Sequence, residues 1–241
     1  MNMRVNKPTY DERLFSIGFR SYLHTARFNW CSKWLTKISK DNKPMNIVEL
    51  GCFNGRLVRY LPVGFDSYTG FDANWEGGLD DAIEYFDDKR LKFLECNSAE
   101  DFKCKTGCNV FVSLETLEHL PEKVLDGYLE ALEECLDEDC KLLITVPNEI
   151  GLIFAIKYLI KRFVMKTPKR YSFYEYWNQI IGRSNFVKRD EHKGFNWRFL
   201  ARKLSTKFQI VAIEGVQTKL LPTQLNFSVG IVLKKVKKEI I

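Results

Sequence analysis

Two rhythms alternate along the chain. Short, apolar-rich stretches occupy residues 47–50, 67–72, 91–96, 110–112, 141–146, 208–215 and 227–236, the first with β-branched Ile47 and Val48. Such runs, bounded by glycine, proline or acidic turns, predict buried strands. Between them apolar residues recur at the helical spacing. Residues 9–40 carry Phe15, Phe19, Tyr22, Leu23, Phe28, Trp30, Trp34, Leu35 and Ile38, and predict one or two helices closed by Asp41-Asn-Lys-Pro44. Helices are also predicted over 75–86, over 122–136 with Val124, Leu125, Tyr128, Leu129, Leu132 and Leu136 on one face, over 150–170, and over 195–207. Alternating strands and helices predict an α/β chain with a mostly parallel sheet.

The stretch Asn46-Ile-Val-Glu-Leu-Gly-Cys-Phe-Asn-Gly55 organises the first half. A strand ends at Leu50, Gly51 turns the chain, and Gly55 opens the periodic Arg56-Leu-Val-Arg-Tyr-Leu61, read as a helix start. In that geometry backbone N–H groups and a helix N-terminus approach a ligand closely. The carboxylate of Glu49 at the strand end would repel a dinucleotide phosphate, which argues against NAD and for a ligand with a positive end. Asp72 closes the second strand 23 residues later, near the spacing at which a carboxylate accepts from both hydroxyls of a ribose.

Further along stand Asn97-Ser-Ala-Glu-Asp101 and Asn109-Val-Phe-Val-Ser-Leu-Glu-Thr-Leu-Glu-His-Leu-Pro121. Together with Glu49-to-Gly55 they resemble class I S-adenosylmethionine-dependent methyltransferases. Phe53 stands where that family usually has its middle loop glycine. The resemblance implies S-adenosylmethionine as methyl donor. It places Glu49, Gly51, Cys52, Asn54 and Gly55 at the donor, Asp72 and Ala73 at its ribose, and Asn97, Ser98 and Ala99 at its adenine, with Leu114 also in the site. It implies a Rossmann-like, seven-stranded, mostly parallel sheet with helices on both faces and the last strand antiparallel beside the fifth. Specific motifs cover residues 45–147, and the remainder matches by pattern. The expected division within one domain, 1–241, is a helical cap (1–44), a donor-binding half (45–148), an inserted substrate-covering segment (149–194) and a C-terminal helix with strands (195–241).

Composition narrows the setting. The chain has 241 residues, 45% hydrophobic and 28% charged, enough for one globular domain with a sizeable core. Residues 1–145 hold 18 Lys and Arg against 25 Asp and Glu, whereas residues 146–241 hold 19 against 6. That asymmetry suggests an anionic partner for the C-terminal part, namely phosphate, nucleic acid or a membrane surface, or else a merely solvated basic face. Seven cysteines form no C-x-x-C pair and read as small buried thiols of a reducing cytosol. No signal peptide and no run long enough to span a bilayer is apparent. A cytoplasmic location is expected, with peripheral contact at the inner face of the membrane as a further option.

The acceptor chemistry turns on Glu115, Glu118, His119 and His192. The first three stand at i, i+3 and i+4, so a helical turn would put them on one face. Leu-Glu-Thr-Leu-Glu-His-Leu-Pro121 and Asp190-Glu-His-Lys-Gly-Phe-Asn-Trp197 resemble segments of small-RNA 2′-O-methyltransferases, where two Glu and two His hold a divalent metal. The first also resembles ubiquinone-biosynthesis O-methyltransferases, and His-Lys-Gly-Phe occurs in methyltransferases of bacterial glycan clusters. Such a ligand set, without thiolate, suits magnesium or manganese. Three readings stay open: a metal site, His119 as a metal-free base assisted by Glu115, and a structural pair. The acceptor expected is a hydroxyl on a sugar of a glycan or glycolipid precursor, with the 2′-hydroxyl of an RNA terminus as runner-up. Readings of another class are a non-catalytic donor-binding module and a membrane-docked interaction protein. Residues 150–170 are expected to form an amphipathic helix, lying on a membrane, closing over an acyl-bearing substrate, or packed as a core helix with its lysines in water.

Overall fold

The computed structural model describes residues 18–41, 44–103, 107–190 and 192–235. Its centre is one seven-stranded sheet in the order β3-β2-β1-β4-β5-β7-β6. The strands are β1 (Asn46–Leu50), β2 (Ser67–Asp72), β3 (Leu91–Glu95), β4 (Cys108–Leu114), β5 (Leu136–Pro147), β6 (Phe208–Gly215) and β7 (Ser228–Lys235). The first five pair in parallel, and β7 lies antiparallel between β5 and β6. The sheet order reverses direction at β1, where β1 pairs with both β2 and β4.

Alternation along the strands sorts the core onto two faces. Phe111, Leu142 and Ile144 join Leu125, Leu129 and Leu132 of α3 (Glu122–Cys135) and Leu200 and Leu204 of α6 (Trp197–Leu204). Val110, Val112 and Leu143 face the other way, onto Ala26, Trp30, Cys31 and Leu35 of α1 (Phe19–Ser39). Burying each such aliphatic chain contributes about 2 kcal/mol. The C-terminal hairpin also ties down α1, because the indole N–H groups of Trp30 and Trp34 both donate to Glu214 Oε1, at 2.7 and 2.8 Å. Gly230 allows this approach: a Cβ there would lie 2.4 Å from the Trp30 ring.

Several elements depart from expectation. The stretch after Gly55 is a five-residue 3-10 turn, Arg56–Tyr60, in place of a helix start, with Gly55 in the left-handed region at φ 67°. The helix expected over 75–86 is α2 (Gly78–Tyr85). The β5 strand begins at Leu136, directly where α3 ends, rather than at 141. The helix expected over 150–170 is shorter, α4 (Gly151–Leu159) followed by a π-helical turn, Ile160–Val164. Lys166 takes φ 52° and the N–H and hydroxyl of Thr167 both return to the Lys161 carbonyl, which ends the helix before Pro168. The segment closes with α5 (Phe173–Ile180), started by a capping box between Ser172 and Glu175. The part of the N-terminal prediction before residue 18, with Phe15, lies outside the described residues, as does Cys104. The described free cysteines, Cys31, Cys52, Cys96, Cys108 and Cys140, are all buried, but Cys135 is half-buried and disulfide-bonded, so the reading of all seven as buried free thiols fails there.

Candidate active site

Parallel pairing brings the C-terminal ends of β1, β2, β3 and β4 to one edge of the sheet, the edge at which doubly wound sheets take ligands. Glu49, Gly51 and Cys52 end β1, Asp72 and Ala73 end β2, Asn97 and Ser98 follow β3, and Leu114 ends β4.

The glycine loop differs from the open cradle expected of it. The N–H groups of Gly51 and Cys52 donate to the Phe71 carbonyl (2.7 and 3.1 Å), and that of Gly55 to the Cys52 carbonyl (2.9 Å). The Phe53 N–H donates to Asp72 Oδ2 at 2.8 Å, and Asn74 N–H to Asp72 Oδ1 at 2.9 Å. Those donors are therefore committed within the protein, and the five-residue turn after Gly55 presents no helix N-terminus. Gly51, at φ 82°, lies under Thr116 of the β4 loop, and an added Cβ would meet Thr116 Oγ1 at 2.1 Å. Phe53 takes φ 47° and lays its ring on Gly78 of α2, where a Cβ would approach it to 2.4 Å. The turn after β3 is drawn together by Asp101 Oδ2, which accepts from the Asn97 and Ser98 N–H groups and the Ser98 hydroxyl. Ala99 packs beneath Gly127 of α3.

Glu49 is only 2% exposed and accepts a 2.5 Å hydrogen bond from the Tyr68 hydroxyl. Burial pushes its carboxyl up to about 8, outweighing that bond and the attraction of Arg27.

A second carboxyl group is furnished differently. Glu118 is 1% exposed, and neither of its carboxylate oxygens has a hydrogen-bond partner among the described residues. Burial and then the charge of Glu115 hold its carboxyl well above the usual range. His119, with its side chain 45% exposed, brings Nε2 to 3.7 Å from Glu118 Oε1. The His192 ring packs edge-on against that of His119, with centroids 4.6 Å apart. His192 Nδ1 is buried without a partner among the described residues, and burial, then His119, pull its pKa down to about 4. Ligand atoms of Glu118, His119 and His192 all lie within 4.8 Å of one another.

Glu115 is not in that cluster. Its φ of 59° turns the chain and only Leu117–His119 forms a 3-10 turn, so the helical face expected to align Glu115 with Glu118 and His119 is not formed. Its Oε1 is buried without a partner among the described residues. Burial raises its pKa against the opposing effects of Arg27 and a hydrogen bond from the Ser228 side chain.

The chain matches the family model described as a methyltransferase domain over residues 22–202. It belongs to that methyltransferase family. Solved structures agree on the fold. The methyltransferase domain of bacterial CtHen1 superposes with a TM-score of 0.56 at 17% identity, covering 86% of this chain and 99% of that one. An S-adenosylmethionine-dependent methyltransferase from Clostridium acetobutylicum gives 0.62 at 12%, covering 95% and 96%. Magnesium protoporphyrin IX methyltransferase from Synechocystis, with bound S-adenosylhomocysteine, gives 0.57 at 13%, covering 93% and 92%. No curated protein sequence matches the chain. The fold expected from the motifs is thus the fold present, and the protein is a class I S-adenosylmethionine-dependent methyltransferase.

Residues that the motifs did not mark also contact this region. Arg27 of α1 acts electrostatically on Glu49, Glu115 and Glu118 together. Arg189 donates from Nη2 to the Glu118 carbonyl and stacks over Phe195, fixing the turn that carries Glu118 and His119. Lys157 of α4 pairs with Glu149 and donates to the Asn148 carbonyl at 3.2 Å. Gln179 of α5 donates to the carbonyls of Glu149 and Phe195, so one buried amide joins the end of β5 to the approach to α6. The sequence signal for these was only residue type, because the contacts of Arg27 with the three acids, Arg189 with Glu118 and Gln179 with Glu149 join segments far apart in the chain.

Proposed function

We propose that the methyltransferase moves the methyl group of S-adenosylmethionine to a sugar hydroxyl of a glycan or glycolipid precursor, with magnesium or manganese held by Glu118, His119 and His192. One observation carries the reading: a buried carboxylate without donors faces two imidazoles within a 4.8 Å cluster. Acceptor-only groups withdrawn from water and left unpartnered are costly. A hard cation satisfies them, and oxygen and nitrogen ligands without thiolate suit these two metals.

In this reading the loop residues Gly51, Cys52, Asn54 and Gly55, with Glu49 beneath them, carry the methionine end of the donor. Asp72 and Ala73 hold the ribose, Asn97, Ser98 and Ala99 the adenine, and Leu114 lies alongside. The hydroxyl oxygen attacks the methyl carbon, the carbon–sulfur bond breaks, and its electron pair leaves with sulfur as a neutral thioether. Alignment of acceptor, methyl and sulfur supplies much of the acceleration. The bound ion would supply a Lewis acid that lowers the pKa of a coordinated hydroxyl. Glu118 and His192, desolvated, hold the inner side of the site, and Glu115 adds negative charge behind Glu118. His119, half exposed at the rim, marks the side of the site from which the released hydroxyl proton can reach water.

The 2′-hydroxyl of an RNA terminus is the second reading, favoured by the basic excess of residues 146–241. The test incubates the protein and methyl-labelled donor with separated lipid, glycan and RNA extracts, with and without a chelator. Label in glycan or glycolipid, lost with chelator and restored by magnesium or manganese, is expected. Label in RNA that falls steeply with salt supports the second reading. Label in protein alone overturns both acceptors, and transfer undiminished by chelator removes the metal.

A further inference from the structure

We infer that the surface made by α4, its π-helical turn and the start of α5 docks on an anionic phospholipid bilayer. The inference goes beyond the proposed reaction and does not rest on it. The α4 helix is held from one side only. Phe154 is 2% exposed and packs with Tyr171, Tyr158 and Tyr176, while Ile153 is 5% exposed. The opposite positions Leu152, Ile156, Ile160 and Phe163 recur at the helical spacing and are 60, 41, 42 and 72% exposed. Val164 and Met165 continue the surface at 74 and 55%. A core helix would have buried this row, so the packed alternative is not the one adopted. At the beginning of α5, Phe173 and Trp177 are exposed too, their rings 6.1 Å apart.

Charge selects the occupant. From residue 150 to 174 the chain has no acidic residue, and Lys161, Arg162, Lys166, Lys169 and Arg170 are all exposed. Phosphates of a nucleic acid would attract those cations but leave Phe163, Val164 and Met165 without apolar cover. A second copy in a two-fold interface would set the same five cations against themselves. A lipid surface takes both features at once: acyl chains receive the apolar row and headgroup phosphates receive the basic residues. Spanning is not available to it, since no described helix is long and apolar enough to cross a membrane. The docking surface begins next to Asn148 and Glu149 at the end of β5, on the rim of the candidate site.

The test uses the whole chain and sedimentation with vesicles of phosphatidylcholine, alone or mixed with phosphatidylglycerol. Binding to the mixed vesicles, weak on the neutral ones and reduced by salt, is expected. Replacing Phe163→Glu with Val164→Glu should lower partitioning roughly tenfold or more, and each of Lys166→Gln and Lys169→Gln about fivefold. Both apolar positions are largely in solvent, so an unchanged thermal melt should accompany the loss. If the paired glutamates unfold the protein, the lysine variants decide, because undiminished binding by both overturns the inference. Wild-type protein that stays in the supernatant with either vesicle overturns it too. So does self-association in the absence of lipid that Phe163→Glu disperses, which would assign the surface to a second copy.

Discussion

Glu49 and Glu118 are buried to the same degree, 2 and 1% exposed, yet the regions around them are completed in opposite ways. Glu49 stands on β1, where Tyr68 of the neighbouring β2 donates to it and neighbouring side chains close over it. Glu118 sits on the turn after β4, where Arg189 secures its backbone but no described donor reaches its carboxylate. Both carboxyls are raised by desolvation, so burial alone does not tell them apart. Partners do. A buried group that has its hydrogen bond contributes to the fold it stands in, whereas one left without costs about 1–3 kcal/mol. The surroundings of Glu49 are therefore closed by its own neighbours, whereas the turn of Glu118 keeps unpartnered acceptors.

The contrast can be broken most directly at Glu118. Glu118→Gln should lower methyl transfer on the order of a hundredfold or more, because it removes the innermost ligand of the proposed ion. Its melting temperature should hold, since a buried unpartnered carboxyl has been replaced by an amide of nearly the same shape. Steady-state rates and a thermal melt check both halves, and a lowered melting temperature would place Glu118 with Glu49 as a structural group.

The second test is the pH dependence of stability. With its carboxyl at about 8, folded Glu49 keeps a proton that the unfolded chain releases near its ordinary value of about 4.5. Between those values the folded state binds more protons, so the Glu49 contribution is full at low pH and is lost as pH rises toward about 8. The loss should be of the order of a few kcal/mol in urea unfolding, and Glu49→Gln should flatten that slope. A slope of the opposite sign would mean that Glu49 is ionised in the fold. The smallest effect is expected from Tyr68→Phe, about 1–2 kcal/mol from one lost hydrogen bond to a buried acid. An unchanged urea midpoint would show that Glu49 has another donor.

The strands were legible because most are apolar-rich runs ended by a turn residue, and Asp72 fell at the end of β2 as its spacing required. The antiparallel β7 beside β5 came from resemblance and is present. What the sequence could not display were contacts made across the sheet. Tyr68 reads as one more strand residue until β1 and β2 pair, and Arg189 meets Glu118, 71 positions away, only after the intervening chain has folded back. The aligned Glu115, Glu118 and His119 assumed a helix that the left-handed Glu115 does not allow. Periodicity likewise revealed the apolar row of α4 but not that the fold leaves it uncovered, since a helical repeat is the same for a core face and a free one.

The place of β7 bears on how the protein comes into being. Lys141 of β5 pairs with Lys234 of β7, and β6 reaches the sheet only through β7. During synthesis β5 therefore waits with an open edge until the last of the seven strands has emerged, and β6 has no place before then. Lys235 Nζ also donates to the Leu136 carbonyl, at 2.6 Å, so closure reaches back to the first residue of β5. Pairings so distant in the chain form late and slowly, and an unpaired, apolar strand edge is a template for association with other chains in the interval. The nascent chain thus has its greatest exposure to aggregation just before the final hairpin docks.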